Sequence, residues 1–205
     1  MNQVQMQIVQ IGEEALRVPA KDLSREEILS AKTQELIEHM RDTMRNAPGV
    51  GLAAPQVGVP LQLAVIEDRE EYQARLSPAQ LSERQRQPIP FHVIVNPRIV
   101  SADNTGLEFF EGCLSVPGYS AIVPRARAVT VECLNERAES KTIDAVGWYA
   151  RILQHEIDHL AGVLYVDRMH TRTLTTVENL ERFWKDLPTS EVVAKLNSSL
   201  GNRKL

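Results

Sequence analysis

The stretch "LQHEIDHLAG", residues 153–162, sets two histidines four apart with a glutamate directly after the first. On a helix, residues four apart lie one above the other, so His155 and His159 can offer ring nitrogens to one ion. Glu156 then sits beside the pair, suited to take a proton from water rather than to bind the metal, which is the mechanics of an H-E-x-x-H helix. The ordinary alternative is a helix with two surface histidines. The pattern predicts a helix from near Trp148 to Gly162, a residue suited to a left-handed C-terminal position. What the rest of the chain offers decides between the two readings.

The chain has 205 residues, enough for one domain with a substantial core. Its 43% hydrophobic and 24% charged content match a soluble globular protein rather than a membrane or disordered one. A formal charge of −4 gives no general attraction to nucleic acid or to anionic membranes. No apolar run approaches the roughly 18 residues needed to span a bilayer. The opening "MNQVQMQIVQIGEEAL" lacks a basic segment followed by an apolar one, and it is acidic where a mitochondrial transit peptide would be arginine-rich. Two cysteines, Cys113 and Cys133, do not make a disulfide framework. A reduced, cytoplasmic protein is the expectation.

Upstream, "LSREEILSAKTQELIEHMRDTMRNAPG" reads as a helix opened by Ser24 with Glu27 three residues later, a capping box. Leu36, Ile37, Met40 and Met44 give it an apolar stripe, and Asn46, Pro48 and Gly49 stop it. "LQLAVIE", "FHVIVNPRIV", "AIVPRARAVTVECLN" and "KTIDAVG" read as strands. Residues 68–90, rich in charge, glutamine and proline, suggest an exposed insertion with a helical turn after Ser77. "TVENLERFWKDL" reads as a last short helix, and the polar tail 189–205 as a segment that frays. The simplest architecture is one α+β domain over 1–205, with a mostly antiparallel sheet around the central histidine helix.

A catalytic site of this kind needs three protein ligands and one open position. A metzincin would carry a third histidine where this chain has Tyr165, so that reading fails. A thermolysin-like endopeptidase would use a downstream glutamate, and Glu178 lies at a suitable distance. The third candidate is Cys113 in "FFEGCLSVPGYS", a thiolate ligand flanked by a glycine that lets backbone approach closely. Read alone, a lone cysteine is more often a small buried hydrophobe. Separately, "GVGLAAPQVG", residues 49–58, packs glycines and a proline around Gln56, whose amide could donate to an oxyanion.

"GVGLAAPQVG", "EGCLSVPG" and "QHEIDHLAG", in that order, resemble the three signature motifs of the peptide deformylases. The resemblance runs from about Ile8 to Leu180. It implies an enzyme that removes the N-formyl group from the initiator methionine of new polypeptides. It further implies metal ligation by Cys113, His155 and His159, with Glu156 as base and then acid. Gln56 and the backbone N–H of Leu114 would polarise the formyl oxygen, and Gly51 would pair with extended substrate. Ferrous iron is the implied ion, with zinc, nickel or cobalt able to replace it.

Leu52, Trp148 and Ile152 are candidate linings for a methionine pocket, the last two on the helix face of His155. Glu111 and Arg125 are expected to pair and stiffen the ligand loop, while Asp158 either orients a histidine or faces water. The insertion, "GWYARILQHEIDHL" and "LYVDRMHTRTL" look like the mitochondrial and plant-organelle branch. Leu114 stands where some organellar relatives carry an acidic residue, which favours full activity. The expected setting is the bacterial cytoplasm, with a mature organellar form as the alternative. N-formyl-methionyl peptides and nascent chains are the expected partners, with transient ribosome contact that Arg203 and Lys204 in the tail hardly support. No nucleic-acid specificity and no membrane association are expected.

Overall fold

The structure is a computed structural model, and it describes residues 5–74, 76–103 and 105–198. Helix α1 (Arg25–Leu29) opens with the expected capping box, in which Ser24 Oγ accepts from the Glu27 N–H and the Glu27 carboxylate accepts from the Ser24 N–H. The single helix read from sequence is two. Ser30 adopts extended backbone (φ −66°, ψ 146°), and its hydroxyl accepts from the Thr33 N–H to start α2 (Ala31–Asn46). A serine that can cap a helix competes with continuing the one before it.

Strand β1 (Gly51–Ala53) precedes a 3-10 turn over Ala54–Val57 that ends at Gly58 in the left-handed region. β2 (Leu63–Asp68) is followed by α3 (Glu70–Gln73) and α4 (Pro78–Arg84), the latter capped by Ser77. Then come β3 (Ile89–Ala102), β4 (Gly106–Cys113), β5 (Val116–Ala126), β6 (Ala128–Leu134) and β7 (Ser140–Val146). Helix α5 (Gly147–Leu160) carries the histidine motif and closes with Gly162 at φ +75°. β8 (Thr175–Thr176) and α6 (Val177–Asn179) lead into a π-helical turn over Leu180–Trp184, and α7 (Thr189–Ser198) ends the described chain.

The protein is α+β with two antiparallel sheets. One has the order β1-β2-β3-β6-β7 and the other β4-β5-β8. Alternation along β2 explains its unbroken "LAVI" run. Ala64 and Ile66 pack on the side of α5 with Ile152, Leu153 and Leu160, whereas Leu63 and Val65 pack on the side of α2 with Ile37, Met40 and Met44. A strand covered on both faces has no use for polar residues. α5 therefore lies against the large sheet with its apolar stripe and turns Arg151 and His155 toward the small one.

Residues 68–90 are mostly exposed, with α4 after Ser77 as expected, but are anchored by buried polar residues, and 189–198 differ from their expected character. Within 68–90, Asp68 is fully buried and Gln73 nearly so, and Arg86 donates two hydrogen bonds to the Asp68 carboxylate at 2.7 and 2.8 Å. Residues 189–198 do not read as a loose tail: they form α7, bury Val192, and tie Thr189 Oγ1 to the Glu108 carbonyl at 2.6 Å. The rest of the tail, with Arg203 and Lys204, lies outside the described residues. Among those described, no helix is long and apolar enough to cross a membrane.

Candidate metal centre

β4 and α5 run alongside each other with matching pitch. Two residues of strand advance about 6.7 Å and four of helix about 6 Å, so partners recur in step. The Arg151 guanidinium lies over the Phe109 ring, Glu111 meets His155, and Cys113 meets His159. An irregularity in the β4–β5 register between Glu111 and Cys113 leads into the tight turn at Leu114–Ser115, which brings the thiol to the helix.

Cys113 Sγ lies 3.3 Å from His159 Nε2. The donor atoms of Cys113, His155 and His159 are all within 4.8 Å of one another. Tetrahedral zinc-like geometry sets such atoms roughly 3.3–3.6 Å apart, so small adjustments would seat an ion among them. The electrostatics agree. Burial opposes charge on His155, yet hydrogen bonds to Cys113 and Glu111 outweigh it and hold the ring well above its ordinary pKa, so the spot calls for positive charge. Burial, reinforced by the charges of His155 and Arg125, pushes His159 well below its ordinary value and keeps its nitrogen lone pair free for a cation.

Glu111 is the hub behind the ligands. It is buried and accepts from Arg125 Nε and Nη2 at 3.0 Å each, from Arg151 Nη1 at 2.6 Å, and from His155 Nδ1 at 3.0 Å. Burial alone would raise its carboxyl, but His155 and Arg125 hold it well below the usual carboxylate range. A fixed carboxylate at Nδ1 aims Nε2 of His155 at the thiol. Asp158 orients no histidine and does not face water. It binds Arg125, and accepts from Arg168 Nε and Nη2 at 2.6 and 2.7 Å, extending the same network. Arg151 was not anticipated, although its place four residues before His155 puts it on the same helix face.

Glu156 is buried, and its Oε2 has no hydrogen-bond partner. Burial pushes its carboxyl up to about 7, with His155 lowering and Glu111 raising it. Gly51 packs directly on it: a Cβ at residue 51 would lie 2.1 Å from Glu156 Oε1, which only glycine avoids. Gln56 is also buried. Its Oε1 accepts from the Ala53 N–H at 2.9 Å, which fixes the amide so that Nε2 faces Ser115 Oγ at 3.2 Å and Cys113 Sγ at 3.5 Å. These groups border a cavity of about 450 Å³, within the usual range of small-ligand pockets. Leu114, Trp148 and Ile152 line it as well.

Two sequence expectations fail here. Leu52 does not line the cavity; it is fully buried on the α2 side, because successive strand residues point to opposite faces and Gly51 takes the site side. Glu178 is exposed on α6 and is not part of the ligand cluster, so the thermolysin-like set finds no support.

A family model described as polypeptide deformylase matches residues 5–174. The chain is 47% identical over 189 residues to a chloroplastic peptide deformylase 1A of Solanum lycopersicum, covering 92% of this chain and 66% of that protein. It is 43% identical over 197 residues to a peptide deformylase of Bifidobacterium adolescentis, covering 95% and 87%. The chain thus spans about two thirds of the length of the tomato relative and most of the bacterial one. Among solved structures, a class I type b peptide deformylase of Acinetobacter baumannii with Met-Ala-Ser bound superposes with TM-score 0.72 at 32% identity, covering 82% of this chain and 99% of that one. A peptide deformylase of Synechococcus elongatus in complex with actinonin gives 0.68 at 35%, covering 83% and 84%.

Proposed function

The chain belongs to the polypeptide deformylase family, and on that premise we propose that it removes the N-formyl group from the initiator methionine of new polypeptides. The products are formate and a free amino terminus. The observation that carries the reading is the convergence of Cys113, His155 and His159 beside the buried carboxylate of Glu156 at one cavity. We read residues 1–205 as one catalytic domain.

Cys113, His155 and His159 would hold a divalent ion, which when bound would supply Lewis-acid activation of water. Glu156 takes the proton from that attacking water. A carboxyl pushed up to about 7 suits a group that must both accept a proton and return it. Oxygen adds to the formyl carbon, and the charge that develops on the formyl oxygen is met by Gln56 Nε2 and the Leu114 N–H. One such donor is typically worth about 3 kcal/mol. Glu156 then protonates the amine as the carbon–nitrogen bond breaks. Glu111, held by Arg125 and Arg151, keeps His155 in register throughout. β1 is the edge strand of its sheet, so the Gly51 backbone is available to pair with an extended peptide. Trp148 and Ile152 form the wall against the methionine side chain.

Ferrous iron is the ion we infer in the cell, on family resemblance. The thiolate–imidazole set also accepts zinc, nickel or cobalt. N-formyl-methionyl nascent chains are the proposed substrates, met in the bacterial cytoplasm or, alternatively, in an organelle, with transient contact at the ribosome testable by co-sedimentation. The deciding assay is formate release from formyl-Met peptides by protein purified without oxygen, with elemental analysis alongside. Cys113→Ser should lose metal and turnover together. No formate from metal-loaded wild type, or full metal retention in Cys113→Ser, sinks the proposal.

A further inference from the structure

The segment 68–90 has so far no part in the reaction, yet it docks on the first turn of α5. Gly147 begins that helix at φ +60°, and a Cβ there would lie 2.5 Å from Gln85 Cβ and 2.6 Å from the Arg84 carbonyl. The segment and the catalytic helix are therefore in backbone-to-backbone contact. Gln85, itself left-handed at φ 48°, accepts from Arg127 Nε at 3.2 Å, which pins the turn from the other side.

From this docked turn two guanidinium groups reach Trp148. The Arg84 guanidinium carbon is 5.2 Å from the indole and that of Arg86 is 5.1 Å away, both within cation–π range. Arg151 adds a third at 5.8 Å, and Phe109 packs edge-on at 6.1 Å. Arg86 cannot swing away, because the fully buried Asp68 holds it in a two-point ion pair. Arg84 is different. Among the described residues it makes no ion pair, its Nε is buried without a hydrogen-bond partner, and it also lies over Phe109 at 5.7 Å. For this half-buried cation without an ion pair, the aromatic rings are the contacts that hold it. The indole also lines the catalytic cavity, which Arg84 and Arg86 do not.

We propose that Arg84 and Arg86, on the 68–90 segment, are positioning residues that clamp the Trp148 indole as a rigid wall of the cavity, so that this segment sets which N-terminal side chains the enzyme accepts. The inference rests on the deformylase reading for its substrate and on packing alone for the clamp. A fixed indole leaves a slot for an unbranched side chain such as that of methionine. A loosened one admits wider side chains and grips the narrow one less.

The test uses Arg84→Met, which keeps the stem and removes the charge without stranding Asp68, and Arg84→Lys, which keeps a cation. The measured quantity is kcat/KM for formyl-methionyl against formyl-leucyl and formyl-phenylalanyl peptides. Arg84→Met should lower the preference for methionine by about three- to ten-fold, the range expected for one desolvated cation–π contact, mainly through KM. Arg84→Lys should restore most of it. A merely structural role would scale all three peptides together. A second readout needs no turnover. The chain has two tryptophans, so in a Trp184→Phe background Trp148 reports alone, and acrylamide quenching should rise in Arg84→Met and fall back in Arg84→Lys. Unchanged selectivity with unchanged quenching overturns the clamp. If wild type turns over no formyl peptide, the deformylase reading fails by itself and the quenching comparison decides the clamp.

Discussion

The two faces of the large sheet are built on opposite principles. On the α2 side, Met40, Met44, Leu52, Leu63 and Val95 are sealed from solvent and apolar throughout. On the α5 side, an apolar cluster lies against the large sheet. The other positions of the helix join, with the small sheet beyond it, a polar network of Glu111, Arg125, Arg151, Asp158, His159 and Glu156, all buried, and the half-buried His155. Burying charge is costly unless every partner is supplied, and here most are. The exceptions are informative. Glu156 Oε2 and His159 Nδ1 are buried without hydrogen-bond partners. One face of the sheet gains stability from packing, and the other surrenders some of it to hold reactive groups in place.

That contrast makes opposite demands of matched substitutions, and the largest effect belongs to the polar face. Glu156→Ala should reduce formate release by about 10²–10⁴-fold, the usual span for a lost general acid–base, while metal content by elemental analysis stays as in wild type. Loss of metal along with activity would show that the carboxylate is part of the ligand set instead. Met40→Ala should do the reverse. Removing that fully buried side chain should cost about 2–5 kcal/mol in urea unfolding, with kcat per folded molecule unchanged. A matching fall in kcat would mean that the two faces are not separable.

Gly51→Ala tests the boundary between the faces, since β1 contributes Leu52 to one and Gly51 to the other. The added methyl would collide with the Glu156 carboxylate at 2.1 Å, so the carboxylate must move. A displacement of about 1 Å is enough to cost roughly 10²-fold in rate, and the measurement is kcat beside a thermal midpoint that changes far less. An unaltered rate would mean that the position of Glu156 is not critical.

How much of this was legible in the chain follows the same divide. Helix α5 could be read because histidines four apart and a terminal glycine are local signals, and the Ser24 cap for the same reason. The break at Ser30 was hidden, since the helical apolar pattern runs on past it and the serine's hydroxyl decides locally. β4 escaped notice because "GLEFFEGC" spends its inward positions on Glu111 and Cys113, residues that a strand reading expects outside. Apart from Arg125, their partners on α5, Arg151, His155 and His159, lie 40 or more residues away, and no short-range pattern carries that. Leu52 adjoins Gly51 in sequence, but in a strand the adjacent residue takes the opposite face. Polar networks closed over long separations are what local periodicity cannot show.

The smallest effect should come from an ion pair at the rim of the apolar face. Arg45 donates to Glu67 through Nε at 2.7 Å and Nη2 at 2.8 Å, and this bidentate bond, with burial opposing it, holds the Glu67 carboxyl below its ordinary value. The geometry rivals that of Arg125 on Glu111, but the surroundings do not: Glu67 is buried, yet the Arg45 side chain is 36% exposed against 3% for Arg125, so water screens the pair from the arginine side. Exposed pairs contribute about 0.2–1 kcal/mol. A depressed folded pKa favours the ionised form in the native state, so this stability is fully present above the unfolded carboxylate value of about 4.3 and is lost as pH falls through the folded one. Urea midpoints of wild type and Glu67→Gln should therefore differ by under about 1 kcal/mol at pH 7 and converge on acidification, with kcat equal at every pH where both are folded. A difference that persists at low pH would assign the effect to shape rather than charge. A change in kcat would tie this rim to the catalytic face and undo the separation from which the comparison starts.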